Sequence, residues 1–188
     1  MSAPPLEIRG EFRRERWRSP EEGSEFVIAD LIDSTVIKGD AEIGKLVPGL
    51  EYRFFGKWDA DYTNRRTGQT EKTFAFTMFA LAEPHSRGAL VKYLAKYCRG
   101  VGPVIAGMLF DCFAGDAEKV LRTDPERAVT EVNKLAKRNV LAIEAADEAS
   151  HTLKAMANEA DTLIELGCLL DGRGFSSATK KELMKRWG

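Results

Sequence analysis

The segment with the clearest chemical potential is Arg99-Gly100-Val101-Gly102-Pro103. Two glycines around one apolar residue let a backbone reverse sharply and come close to another surface. Proline suits the first turn of a helix, where its missing N–H costs no hydrogen bond. A helix starting there aims free N–H groups and the positive end of its dipole outward, which makes an anion site suited to a phosphate. Val101 is expected to point inward and lock the flanking helices, with Arg99 adding charge. The same spacing also serves a plain helix–helix connection closed by glycine, so both readings stand at this point.

A second segment repeats the logic near the C-terminus. Gly172-Arg173-Gly174 precedes Ser176 and Ser177, either of which can cap a final helix to Arg186. Lys180, Lys181, Lys185 and Arg186 make that helix basic, with Glu182 opposing. Such a patch adds salt-sensitive, sequence-independent affinity for phosphates, and it equally fits a solubilising face. Between the two glycine turns lie Glu144, Asp147, Glu148, Glu159, Asp161 and Glu165, an acidic surface unsuited to DNA. Charge is therefore segregated along a chain whose formal net is -1.

Signals for catalysis are weak. No G-x-x-x-x-G-K-[ST] segment occurs, since Gly44-Lys45 is followed by Leu46 and Gly56-Lys57 by Trp58. That argues against ATP hydrolysis by these residues. No G-x-S-x-G is present, and neither His85 nor His151 has an evident nucleophile motif beside it in sequence. The cysteines Cys98, Cys112 and Cys168 show no C-x-x-C spacing, so buried reduced thiols are expected and a metal site is not. No apolar run reaches the ~20 residues of a membrane span, and no secretory signal opens the chain. A cytoplasmic protein is the expectation.

The elements that must carry these residues fall into two halves. From Leu6 to about Ala82 the texture is that of strands. Leu6 to Phe12 alternates at period two, and Arg13 to Gly23 reads as a charged loop. Glu25 to Leu31 and Ser34 to Lys38 are further strands, with a turn at Gly39-Asp40. Glu51 to Trp58 is the strongest, with Tyr52, Phe54 and Trp58 on one face and Gly56 marking a bulge or bend. Tyr62 to Thr70 reads as a long hairpin loop and Thr73 to Leu81 as the returning strand. Five short strands in this span suit a small barrel or sandwich, the OB type among them. Arg53, Phe55 and Lys57, with Arg65, Arg66 and Lys72 nearby, form a candidate face for a single strand. The alternation does not say which face is inside, and the aromatics serve a core equally well.

From Pro84 onward helical spacing takes over. Helices are expected over Ser86 to Cys98, Val104 to Phe113 and Ala117 to Leu121. Another starts at Asp124-Pro125, with Asp as N-cap and Pro in the first turn. Helical sequence then continues to about Leu170. The chain of 188 residues stops at Trp187-Gly188 without a tapering tail, as a piece of a longer protein would.

The order of these parts resembles a known family. "GLEYRFFGKW", "TFAFTMFALAEPHSRGALVKYLAKYCRGVGP" and "VLRTDPERA" look like the N-terminal part of RecD-like DNA helicases, of the exodeoxyribonuclease V alpha-chain type. "LLDGRGFSSATKKELMKRWG" resembles their later hairpin. The resemblance implies an α+β fold, with a small N-terminal OB-like β-barrel over 1–83 and an all-α helix-hairpin-helix region over 84–188. It implies DNA as the partner, held by its backbone without sequence preference, in a 5′-to-3′ helicase of repair or recombination. Arg99, Gly100, Val101 and Gly102 match the first hairpin, and Gly172, Arg173 and Gly174 a later one. ATP and Mg, by the same likeness, belong to motor domains outside this chain. Family members carry a further glycine-containing hairpin after the "PERA" segment, whereas Val132 to Ala136 has no glycine. That departure speaks against phosphate binding there. It also speaks against the rival family with the same order of parts, the Holliday-junction-binding component of branch migration. A module that docks proteins through barrel and acidic helices is the third possibility.

Overall fold

The computed structural model describes residues 5–22, 24–42, 44–59, 62–63, 68, 70–171 and 182–183 (backbone only at 62–63, 168 and 171). The fold is α+β, a closed five-stranded barrel followed by helices. Two compact units divide the chain: Met1–Ala82 with Ala160–Gly188, and Glu83–Glu159.

The barrel consists of β1 (Leu6–Arg18), β2 (Phe26–Leu31), β3 (Val36–Asp40), β4 (Glu51–Trp58) and β7 (Thr73–Leu81), closed in the order β1-β2-β3-β7-β4. A two-stranded pair, β5 (Tyr62–Thr63) and β6 (Thr70–Glu71), lies between β4 and β7 in sequence. All barrel pairings are antiparallel except β3 with β7. This OB-like closure leaves no open sheet edge.

Closure depends on the length of β1. Leu6 to Glu11 pair with β4, and Phe12 to Arg18 pair with β2. The charged stretch from Arg13, expected to be a loop, is thus strand as far as Arg18. Two register shifts bend it there, so its charges stand outside while Phe12 is buried. Gly39 and Asp40, expected in a turn, belong to β3, where they pair with Val27 and Phe26.

Inside are Phe12, Val27, Ala29, Leu31, Ile37, Tyr52, Phe54, Phe74 and Phe76. Each fully buried large side chain contributes about 1.5–3 kcal/mol. Tyr52 keeps its hydroxyl satisfied at the barrel end. It donates to Lys45 O at 2.9 Å and accepts from Val47 N at 2.9 Å, which pins the β3–β4 connection. Gly56 sits at the expected irregularity, where β4 slips against β7 between Phe55 and Gly56. A Cβ at this position would collide with the carbonyl oxygen of Ala75.

The helices are α1 (Arg87–Tyr97), α2 (Pro103–Phe113), α3 (Ala117–Thr123), α4 (Pro125–Ala136) and α5 (Ile143–Asp171), with one 3-10 turn at Ala114–Asp116. Ser86 caps α1 by accepting from Ala89 N at 3.1 Å. Asp124 caps α4 by accepting from Arg127 N at 3.2 Å. Leu90, Leu94, Leu109, Leu121, Val132, Leu141 and Leu153 supply the core of the helical unit. The last part of α5 belongs to the barrel unit, where Gly167 packs directly on Met78. Among the described residues, no helix is long and apolar enough to cross a membrane.

Replacing Gly56 by alanine forces backbone apart at the β4–β7 seam. The expected loss is about 2–4 kcal/mol of stability, read from the urea midpoint of the Gly56→Ala variant.

Candidate nucleic-acid interface

The turn between α1 and α2 is built around one buried aliphatic. Cys98 ends α1, its N–H donating to Leu94 O at 2.8 Å. Val101 follows, 1% exposed, its N–H donating to Cys98 O at 3.1 Å. Burying Val101 turns Arg99, Gly100 and Gly102 outward, and all three are exposed.

The two glycines have different reasons to be there. Gly100 has φ +81, and a Cβ on it would stand 2.9 Å from Ala145 Cβ. Packing and backbone strain both require glycine at this position. Gly102 has ordinary extended angles, φ -72 and ψ 173, and open space where a Cβ would go. Nothing within the fold demands glycine at 102.

Gly102 is the N-cap of α2 and, lacking a side chain, makes no cap hydrogen bond to the helix's first amides. Its carbonyl accepts from Ala106 N at 2.9 Å, which starts the helical ladder. The first turn of α2 holds no acidic residue. Free amides, a positive dipole end and the exposed Arg99 therefore face solvent together, an arrangement that accepts an anion. Among the described residues, no group of three or more His, Cys, Asp or Glu side chains forms a metal site.

A second turn has the same build, and sequence reasoning looked for it in the wrong place. Val132 to Ala136 lie within α4, and the reversal comes after them. Lys137 adopts the left-handed conformation, φ 54, the role that Gly100 has in the first turn. Leu141 is buried as Val101 is, and Ala142 O starts α5 by accepting from Ala146 N at 3.1 Å. The Asn133 side chain holds the turn's backbone. Its Oδ1 accepts from Val140 N at 2.8 Å and Leu141 N at 3.0 Å, and its Nδ2 donates to Leu141 O at 2.9 Å. An asparagine three residues before the end of a helix is too common a pattern to have flagged this turn. Lys137 and Arg138 are exposed at its tip, but Glu144 occupies the first turn of α5. A carboxylate there already answers the helix dipole, so this turn is the poorer anion site.

The expected single-strand face is arranged differently. Arg53 is engaged by Glu7, through Nε at 2.8 Å and Nη2 at 2.9 Å, and lies 5.2 Å from the centre of the Phe55 ring. That pairing holds the Glu7 carboxyl below its ordinary range. Phe55 is 4% exposed and pairs with Met78, the residue on which Gly167 packs. Its ring is closed to a base, while Lys57 is exposed. Arg65, Arg66, Gly172, Arg173, Gly174, Lys180 and Lys181 lie outside the described residues. The exposed indoles of the barrel are instead Trp17 and Trp58.

A buried polar cluster supports the first turn from inside the helical unit. Glu118 on α3 is 3% exposed, with Arg122 Nε standing 3.1 Å from its Oε1. Its Oε2 meets no hydrogen-bond partner. Arg122 also reaches Glu83 at 2.7 Å, and its carbonyl accepts from Ser150 Oγ at 2.6 Å. Burial pushes the Glu118 carboxyl up to about 7, against the pull of Arg122 and with the help of Glu83. Burial, reinforced by Glu118, also raises Cys98 to about 12 and pushes the Tyr93 hydroxyl upward. Cys98 is thereby a protonated, unreactive thiol at neutral pH.

Two outcomes follow for the helical unit. Asn133→Ala leaves three backbone groups of the second turn unmatched, and costs about 2 kcal/mol in denaturant unfolding. For Glu118, the folded protein holds the proton more tightly than the unfolded chain, whose carboxyl titrates near 4.5. Stability from this group is therefore greatest at low pH, declines as pH rises through the interval between 4.5 and about 7, and then levels off. Thermal melts at acid and mildly alkaline pH are expected to show this decline, and Glu118→Gln to remove its part of it.

No protein-family model matches the chain, and no curated protein matches it.

Proposed function

We propose that this chain is the DNA-engaging N-terminal region of a RecD-like 5′-to-3′ helicase of repair or recombination, working in the cytoplasm. It grips phosphates at the α1–α2 turn without reading bases. ATP and Mg act in motor domains that this chain does not include.

The observation that carries this reading is the condition of Gly102. The fold does not need glycine there, yet the position is open and adjoins uncapped amides, a dipole end and Arg99. Glycine is the residue that lets a phosphate reach such amides closely. Basic and acidic side chains balance between Glu83 and Glu159, so no general field draws DNA to this unit. Affinity must come from local geometry and remain modest, which suits an accessory grip beside a motor.

Gly102→Asp separates binding from folding. Aspartate is a better N-cap than glycine and complements the dipole, so stability is kept or raised. Its carboxylate occupies the same amides and repels phosphate. Duplex binding by fluorescence anisotropy is expected to fall at least tenfold, and Arg99→Gln to reduce the salt slope by about one. Unchanged affinity in Gly102→Asp would remove the turn from the account. A four-way junction competing far better than linear duplex would favour the junction-binding alternative, for which the matching geometry of the Lys137 turn is the supporting observation. Capture of a protein partner with no DNA binding at low salt would favour the docking module, consistent with Val104 at 71% and Leu135 at 50% exposure.

A further inference from the structure

The barrel has an outer face independent of the helical turns. Trp17 pairs with Ile28, and Ile28 with Lys38, so the three stand in one row across β1, β2 and β3. Their chain neighbours Val27, Ala29 and Ile37 are the fully buried ones, which puts this row outside. In the next row Asp30 binds two arginines, Arg14 Nε at 3.3 Å and Arg16 Nε at 2.5 Å. Arg16 continues to Glu71, its Nη1 donating to Oε2 at 2.6 Å. Glu71 lines an open cleft of about 260 Å³ together with Lys72, Trp58 and the Asp33–Val36 turn. Arg16 thus connects the Trp17 row to the Trp58 cleft.

Both indoles are exposed and both are braced. Trp17 is 48% exposed, held edge-on by Phe26 with ring centroids 6.3 Å apart. Trp58, the last residue of β4, is in register with the buried Phe74 and Ile37, so it continues the inner row to the end of the strand, where it is 45% exposed and packs against Phe74 at 5.3 Å. A braced, exposed indole loses little freedom when something flat lies on it.

The charges between them are layered. The Asp30 side chain is 5% exposed and that of Arg14 is 67% exposed. The carboxylate lies beneath, orienting guanidinium groups whose remaining N–H donors point outward. Solvent therefore meets cations at Arg14 and Lys72, although the face as a whole is charge-balanced. Flat apolar rings with cations between them match an unstacked strand, whose bases offer their faces and whose phosphates need neutralising. A duplex hides its base faces and does not fit.

We propose that the surface running from Trp17 on the outer face of β1, over Arg14, to Trp58 at the end of β4 binds single-stranded DNA, with bases stacked on the two indoles and phosphates on Arg14 and Lys72. This deepens the reading of the chain as a DNA-engaging region, yet uses no residue of the α1–α2 turn.

The test is a pair of titrations of the full chain, one with a short labelled oligothymidylate and one with a blunt duplex of equal length. Oligothymidylate is expected to bind and to quench tryptophan fluorescence. Trp17→Ala and Trp58→Ala should weaken it roughly five- to hundredfold, leaving duplex affinity unchanged. Trp17→Phe should retain most of the affinity. Arg14→Gln, an exposed change that leaves Asp30 paired with Arg16, should lower the salt slope by about one. Full oligothymidylate binding by Trp17→Ala and Arg14→Gln, or its loss in Gly102→Asp, overturns the proposal. Duplex binding without oligothymidylate binding sinks the barrel site and leaves the turn standing. Oligothymidylate binding without duplex binding does the reverse, and binding of neither ends both readings.

Discussion

Burial of a single aliphatic side chain in the middle of each helical reversal is the interaction on which the helical unit depends. Val101 between α1 and α2, and Leu141 between α4 and α5, are both 1% exposed. A short turn that buries its central side chain must turn its other residues outward. The basic residues Arg99, Lys137 and Arg138 and the open Gly102 are thus presented by packing and not by chance. The same constraint places the start of the next helix at the surface with its first amides unbonded. What differs between the two turns is who answers those amides: Glu144 does so in α5, whereas the N-cap of α2 is a glycine and its first turn holds no acidic residue.

Much of this was legible in the residues. The glycine pair around Val101, the proline after it and the Asp124-Pro125 start are local signals, and the helices fall where these signals put them. β4 and β7 run from Glu51 to Trp58 and from Thr73 to Leu81, as alternation indicated, because strong aromatic periodicity admits few registers. The rest depended on partners that sequence does not reveal. Arg13 to Arg18 looks like a loop because it is charged, yet a strand on the outside of a closed barrel tolerates such residues when Asp30 lies beneath them. Phe55 looked exposable because its neighbours Arg53 and Lys57 are charged. It is buried because the outer side of the β4–β7 pair is covered where Gly167 packs on Met78. The Lys137 turn escaped notice because a lysine, Lys137, takes the left-handed conformation that Gly100 takes in the first turn, while the Asn133 side chain ties the turn's backbone.

A formal net charge of -1 therefore says little about what this protein meets. On the outer face of β1 and β2 the Asp30 carboxylate lies under Arg14, so a neutral pair presents its cation to solvent. In the helical unit the balance hides a turn without acidic residues. Both cases show charge arranged by depth and by element, which composition averages away. Under the proposed DNA-engaging role, binding built this way would use few contacts and be modest and salt-sensitive.

The most direct measurement is the affinity of the unaltered chain for linear duplex DNA of two unrelated sequences across a series of salt concentrations. The account predicts equal affinities for the two sequences and a linear fall of log K with log salt, with a slope corresponding to roughly two or three phosphate contacts. Absence of binding at the lowest salt, or binding that salt does not weaken, would contradict it.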